Sequence, residues 1–426
     1  MERFTGIIGI LLIFGIAYAF SNNRKAICLK TIIPGFILQI VLAVFVLKIP
    51  LGKTIFHAIG MFIQKILDFS NMGGNFVFGA LTGKPEKMIE IFGQGADFIF
   101  ALKLIPTIIF ILILVNILYY YGIMQRVVAF FAKIMYKIMN VSGAESLSNI
   151  ASAFVGQVEA QIMIKPYLAT MTMSELLASM TGSMACIAGG VMAMYIGMGI
   201  PAEYLLAASI MAAPGALIIS KIVYPETEES QTKNEVKVEI KRNHVNLIDA
   251  IAHGASDGMK VSINVIAMLI ALIALISMID WILGGIGSFL YNTFHFNLNF
   301  IGIDLAHLSL KEILGSIFSL FSLAMGVPLK EAGTVGSLMG TKLVFNEFIA
   351  YLDLSMLKDT LSPKSVIIAS FALCGFANLG SIAIQIGGIG ELAPNRRKDL
   401  AKLGVKALFC GTLASYLSAC IAGILM

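Results

Sequence analysis

The sequence predicts an all-α integral membrane protein assembled from two related halves, and three observations carry that prediction. Charged residues make up 13% of the chain and hydrophobic ones 58%, with a mean hydropathy of +0.89. A soluble domain carries about 25% charge, so water is not the main solvent for this surface. Several uninterrupted apolar runs approach or exceed the roughly 18 residues that a bilayer crossing requires. Finally, two carboxylates, Glu159 and Glu347, lie deep inside apolar sequence. Some thirty residues after each comes a broken stretch, Ala188-Gly189-Gly190 in one case and Cys374 to Ser381 in the other. An ionisable group at membrane depth is expensive to place and marks a candidate substrate or ion site.

In chain order, residues 6–20 and 32–47 read as the first two spans. The first lacks a basic leader and a small-residue cleavage site, so a retained span is expected in place of a signal peptide. Residues 54–68 alternate apolar and polar faces with helical period, residues 104–121 form a third span, and 125–138 have a basic face suited to an interfacial helix. From 142 the character changes. A polar helix of about ten residues reaches only ~15 Å, half a bilayer, and it meets Gly156 before a second short arm runs to Lys165-Pro166-Tyr167. Two short arms around a polar tip describe a re-entrant hairpin, tolerated only where protein or an aqueous cavity surrounds it. Residues 173–199 could span, but Gly182, Gly189 and Gly190 should weaken them centrally. Residues 205–222 are an unbroken span.

Residues 224–246 are a polar loop. A helix over about 247–284 follows, longer than a perpendicular span needs, and 308–322 are amphipathic and expected at an interface. From Pro328 the hairpin pattern returns: Glu331, Gly333, Gly336 and Gly340 lead to a tip, and Asn346-Glu347 opens the returning arm. The span 364–390 is interrupted at 375–380, and 403–425 close the chain. Repeated discontinuous elements in corresponding positions are the best pointer in a sequence to a transporter's substrate site.

The chain therefore divides into an N-terminal scaffold (1–141), a first transport half (142–223), a cytoplasmic loop (224–246), a long scaffold helix with an interfacial helix (247–327) and a second transport half (328–426). Lys and Arg cluster after the first and third spans, in the 224–246 loop and before the last span, which places all four cytoplasmic and both termini outside. Lys84, Lys87 and Lys330 run against that orientation. The net charge of +5 is explained by these clusters and does not suggest a nucleic-acid partner. The five cysteines are scattered through apolar segments without ligand spacing and read as small buried hydrophobes. The five histidines share no spacing. His253 and Asp257, four apart, could pair on one helical face. An intramembrane enzyme would need a nucleophile with its base, or a metal set, and none is evident.

Gln157, Glu159, Glu347, Asn378 and Ser381 together form a set of donors and acceptors. Carboxylates and amides suit sugar hydroxyls and heterocyclic base edges, and Phe376 could lie against an apolar face. The broken segments contain no Arg, which favours a polar uncharged ligand over an anion. Ser152 to Val155 and Cys186 to Ile187 could lend carbonyls to a sodium ion. The competing reading is that these groups merely satisfy each other across helices.

These residues resemble the concentrative nucleoside transporter family, bacterial type. The matching strings are Gly156-Gln157-Val158-Glu159-Ala160 with Lys165-Pro166-Tyr167-Leu168, Met180-Thr181-Gly182 through Ile187-Ala188-Gly189, Asn346 to Tyr351, Cys374 to Asn378 with Ile384 to Gly388, and Gly411 to Ser415. The resemblance implies about eight transmembrane helices, two hairpins of opposite orientation in an inverted repeat, a homotrimer in the inner membrane, and cation-coupled nucleoside uptake by an elevator-type movement. It also implies that Gln157 and Glu159 meet the base, with Val158 between them and Val191 packing nearby, while Glu347, Phe376, Asn378 and Ser381 hold the ribose. A sodium site would draw on Ser152, Val155, Cys186 and Ile187, mainly through backbone carbonyls. No other cofactor is implied.

Three positions depart from the family pattern. Val158 stands where Thr or Ser is usual, and Ser152 and Cys186 stand where the sodium-dependent pattern has Asn and a hydroxyl residue. Sulfur is a poor ligand for a hard cation. Sodium is the expected coupling ion. The alternative is a proton-coupled importer of a nucleoside, nucleobase or modified nucleoside, with Glu159 or Glu347 carrying the proton.

Overall fold

The computed structural model describes residues 2–82, 99–233, 245–294, 305 and 308–426. Among these, ordered structure is helical and no strand occurs. Lys84, Lys87, His244, His295 and His307, and residues 234–244 of the 224–246 loop, lie outside the described residues.

The N-terminal third contains α1 (Glu2–Ala19), α2 (Leu29–Leu47), α3 (Pro50–Phe78), α4 (Phe100–Tyr120) and α5 (Ile123–Met139). Pro50 at the first turn of α3 pre-sets its backbone. This helix runs well beyond the 54–68 amphipathic stretch. Next come short pieces: α6 (Gly143–Ser152), α7 (Glu159–Ile162) and α8 (Lys165–Leu168), with irregular backbone over 153–158. Then follow α9 (Met173–Ala185), α10 (Gly189–Gly197) and α11 (Ala202–Val223). The helix expected at 247–284 extends to 48 residues as α12 (Leu247–Phe294). The last section holds α13 (Leu310–Met325), α14 (Leu329–Val344), α15 (Glu347–Leu357), α16 (Pro363–Ala372), α17 (Leu379–Leu392) and α18 (Arg397–Leu425).

Local sequence explains where the short pieces begin. Ser142 and Glu145 form a reciprocal capping box on α6, and Thr172 and Glu175 form another on α9. Asn346 caps α15 by accepting from the Ile349 amide at 3.0 Å, and Asn378 caps α17 by accepting from the Ser381 amide at 2.9 Å. Polar residues inside apolar sequence thus start helices.

Six helices among the described residues are long and apolar enough to cross a membrane, or seven if α13 and α14, bent by 117° between them, count as one. They sort by burial. The α9–α10 stretch, α11 and α18 are buried over most of their length, whereas α2, α4 and α12 leave apolar faces outward, Trp281 and Ile270 among them. Apolar side chains facing outward along a span are what lipid accepts. At the centre, α18 packs on α1, α9, α11, α16 and α17, so the two halves share one core.

Several details differ from the sequence reading. Gly182 does not break its helix. The interruption falls at 186–188, and Gly182 instead lets α6 approach, since a Cβ there would sit 2.1 Å from Asn149 Oδ1. The glycines of α14 likewise serve packing: a Cβ at Gly336 would meet the Gly315 carbonyl of α13 at 2.7 Å. The 308–322 stretch is therefore the partner of α14, ending at the left-handed Gly326. His253 pairs with Asp249 at 3.6 Å instead of with Asp257, which pairs with Lys260 at 3.8 Å. Of the cysteines, Cys28 is exposed and the other four are buried and free.

Candidate functional site

The two interrupted helices meet at their breaks. Gly375 has φ +103°, a backbone state that side chains rarely adopt, and a Cβ there would come within 2.3 Å of the Ala185 carbonyl. The end of α9 therefore abuts the 373–378 break directly.

Beside that crossing lies the buried Glu347. Its Oε2 accepts from Asn378 Nδ2 at 3.1 Å and its Oε1 from the Tyr195 hydroxyl at 3.2 Å. Asn378 Oδ1 is in turn held by the Ser381 amide. The structure thus brings three of the expected residues, Glu347, Asn378 and Ser381, into one bonded set, with half-buried Phe376 in the same break. Tyr195 was missed by sequence reasoning. It lies on α10 one turn from Val191 and stacks on Tyr351 with ring centroids 4.3 Å apart. Tyr351 donates to the Ser370 carbonyl at 2.7 Å, which fixes the pair.

The first tip reaches the second half through Val158, which touches α17 at Gly388. A Cβ on Gly388 would lie 2.6 Å from a Val158 methyl. Gln157 is half-buried, and its Oε1 is buried with no hydrogen-bond partner. Glu159 is exposed and folds its carboxylate over Gly156, where a Cβ would be 2.0 Å from Oε2. Glu159 and Glu347 therefore have different surroundings, one open and one enclosed.

The residues considered for an ion gather where the 186–188 interruption meets the end of α6. Ser152 Oγ donates to the Ser148 carbonyl at 2.8 Å and lies 3.1 Å from Ser183 Oγ. Cys186 directs its thiol at the Ser209 carbonyl, 3.8 Å away. The Ser209 hydroxyl faces the carbonyls of Ala153 and Ile187 at 3.4 and 3.5 Å, the long limit of a hydrogen bond. The backbone of Val155 enters the same turn, its amide donating to the Ala151 carbonyl at 2.9 Å. A buried network joins α6 to α9: Gln161 donates to Ser148 and Ser183 at 3.0 and 2.7 Å and accepts from Ser179 at 2.6 Å. Such small polar residues carry no pattern in a sequence. Only the i, i+4 spacing of Ser148 with Ser152 and of Ser179 with Ser183 hints that they share faces.

Comparison with known proteins places the whole chain among related sequences. Family models match three consecutive stretches: the Na+ dependent nucleoside transporter N-terminus over residues 8–81, a nucleoside recognition "Gate" over 101–202, and the Na+ dependent nucleoside transporter C-terminus over 204–423. The chain is 38% identical over 423 residues to the nucleoside permease NupC of Helicobacter pylori, covering 98% of this chain and 96% of that one. It is 36% identical to sodium/nucleoside cotransporter 1 of Rattus norvegicus, covering 100% of this chain and 64% of that one. A structure of CNTnw in an inward-facing substrate-bound state superposes with a TM-score of 0.91 at 42% identity, covering 100% of this chain and 98% of that one.

Proposed function

The chain belongs to the Na+ dependent nucleoside transporter family, and from that premise we propose that it imports nucleosides together with a cation across a bacterial-type inner membrane. The family is one of transporters, not of enzymes. The observation that carries the reading is the Glu347–Asn378 hydrogen bond, which joins the start of α15 to the second break inside apolar sequence. The Glu347 carboxylate accepts from Tyr195 and Asn378, and a carboxylate's roughly four lone-pair sites leave acceptor capacity for a ribose hydroxyl. Asn378, Ser381 and Phe376 complete the sugar side. The base lies toward Gln157, whose Oε1 needs a donor, with Val158, Glu159 and Val191 around it.

Residues 142–223 and 328–426 move as a transport domain against a scaffold of 1–141 and 247–327, in an elevator-type cycle. The α6–α8 and α14–α15 segments act as re-entrant hairpins. Adding α1 and the α16–α17 pair to the six longer helices gives about eight spans per protomer, in a homotrimer with both termini outside.

Sodium is the coupling ion on this reading, held near Ser152, Val155, Cys186 and Ile187 largely by carbonyls, with Ala153 and Ser209 adjoining. Its binding would order the first break and raise nucleoside affinity, and the nucleoside must raise sodium affinity equally. The Cys186 thiol favours a second reading, proton coupling, because it presents sulfur where a hard cation prefers oxygen.

Tritiated uridine uptake into proteoliposomes at clamped pH, with sodium replaced by potassium, separates these. Loss of concentrative uptake in potassium supports sodium. Uptake that persists and collapses with a protonophore supports the proton. No uridine accumulation under either gradient refutes the base assignment.

A further inference from the structure

The second half contains a buried charge that the transport scheme does not use. Lys342, at the end of α14, is 1% exposed. Its ammonium donates to the carbonyls of Ala372 and Cys374, each at 2.9 Å, and to Ser415 Oγ at 3.4 Å. Ser415 also donates to the Cys374 carbonyl, at 2.6 Å. Three partners account for the three protons of an ammonium, which is the condition for keeping such a charge at membrane depth. Both carbonyls belong to the C-terminal end of α16 and the break beyond it, where helix carbonyls have no intrahelical donor and the dipole favours a cation.

The first half offers the comparison. Cys186 follows Glu159 by 27 residues, and Cys374 follows Glu347 by the same 27. In both, a serine from a later helix faces the carbonyls of the break: Ser209 from α11 and Ser415 from α18. At the second break the lysine ammonium is added. At the first, the carbonyls of Ala153 and Ile187 are met by Ser209 at long range.

We propose that Lys342 is a tethered cation. Its ammonium holds the carbonyl end of the second broken helix as a free cation would hold the first, and so keeps Phe376, Asn378 and Ser381 in register with Glu347 without a bound ion. The comparison with the first half rests on the cation-coupled reading above; the contacts of Lys342 do not. Lys342 is a positioning residue, since it acts on substrate through the break it secures.

The test uses purified full-length protein melted in choline, sodium and methylammonium chloride at equal ionic strength, with uridine affinity measured in each. The wild-type response to salt is the baseline. Lys342→Met should melt lower in choline and recover in sodium or methylammonium by more than that baseline. Its uridine affinity should fall about tenfold in choline and return with the cation, a coupling of ordinary size. Lys342→Gln, which keeps a neutral donor, should move the same way but less. Equal losses in all three salts would reduce the lysine to a structural ligand and overturn the proposal, as would wild-type behaviour in choline. If Lys342→Met does not fold in any salt, Lys342→Gln decides by the same criterion. Wild-type protein that binds no uridine would refute the base assignment while leaving the melting comparison valid.

Discussion

The Tyr195 hydroxyl lies 3.2 Å from Glu347 Oε1, so a residue of the first broken helix orients the carboxylate at the start of α15. Tyr195→Phe removes one hydrogen bond to a charged acceptor, a contribution of about 1.5–3 kcal/mol. The expected outcome is at least a roughly tenfold loss of uridine affinity, read by isothermal titration, with stacking on Tyr351 retained. Unchanged affinity would mean that Asn378 alone positions the carboxylate.

Glu347→Gln tests the ribose assignment. The amide keeps the shape but loses an acceptor at one end and turns a donor toward Asn378 Nδ2 or Tyr195. Competition against labelled uridine should show ribosides weakened far more than free nucleobases. Losses of the same size for both classes would remove Glu347 from the sugar side.

Position 375 reports on the crossing of the two breaks. An alanine there must adopt φ +103° and place its Cβ 2.3 Å from the Ala185 carbonyl. The backbone state by itself costs about 1–3 kcal/mol, and the clash is with main chain, which cannot swing aside. Gly375→Ala should lower the melting temperature and abolish uptake together. A variant that melts like the wild type would show the breaks to be loosely apposed.

Cys186→Ser gives the first break a side-chain oxygen in place of sulfur. With sodium as coupling ion, half-maximal uptake should need less sodium than in the wild type, because hard cations prefer oxygen ligands. A sodium response identical to the wild type would exclude residue 186 from the ion's ligand shell.

Much of this site was legible in the sequence, for a physical reason. A carboxylate or amide inside apolar sequence has few structural uses, so Glu347 and Asn378 stood out; Asn378 also caps a helix, as does Asn346 beside Glu347. Tyr195 did not, because an aromatic ring in an apolar helix reads as packing until the partner of its hydroxyl is known. The Ser148, Gln161, Ser179 and Ser183 network was equally silent. Glycine was the least reliable sign: Gly375 marks a break, whereas Gly182 marks a close approach within an intact helix. For Lys342, only the fold reveals that its three protons are all engaged.

The contact between Val158 and Gly388 ties together two properties that evolution would otherwise adjust separately. The methyls of Val158 fill the space that any side chain at 388 would need, and on the proposed reading the same residue borders the base. A mutation at 158 that widens the range of accepted bases also changes how the first tip seats on α17. Selectivity and turnover are then inherited as one trait, and a lineage that broadens one must find a second substitution, with position 388 the nearest place for it, to preserve the other.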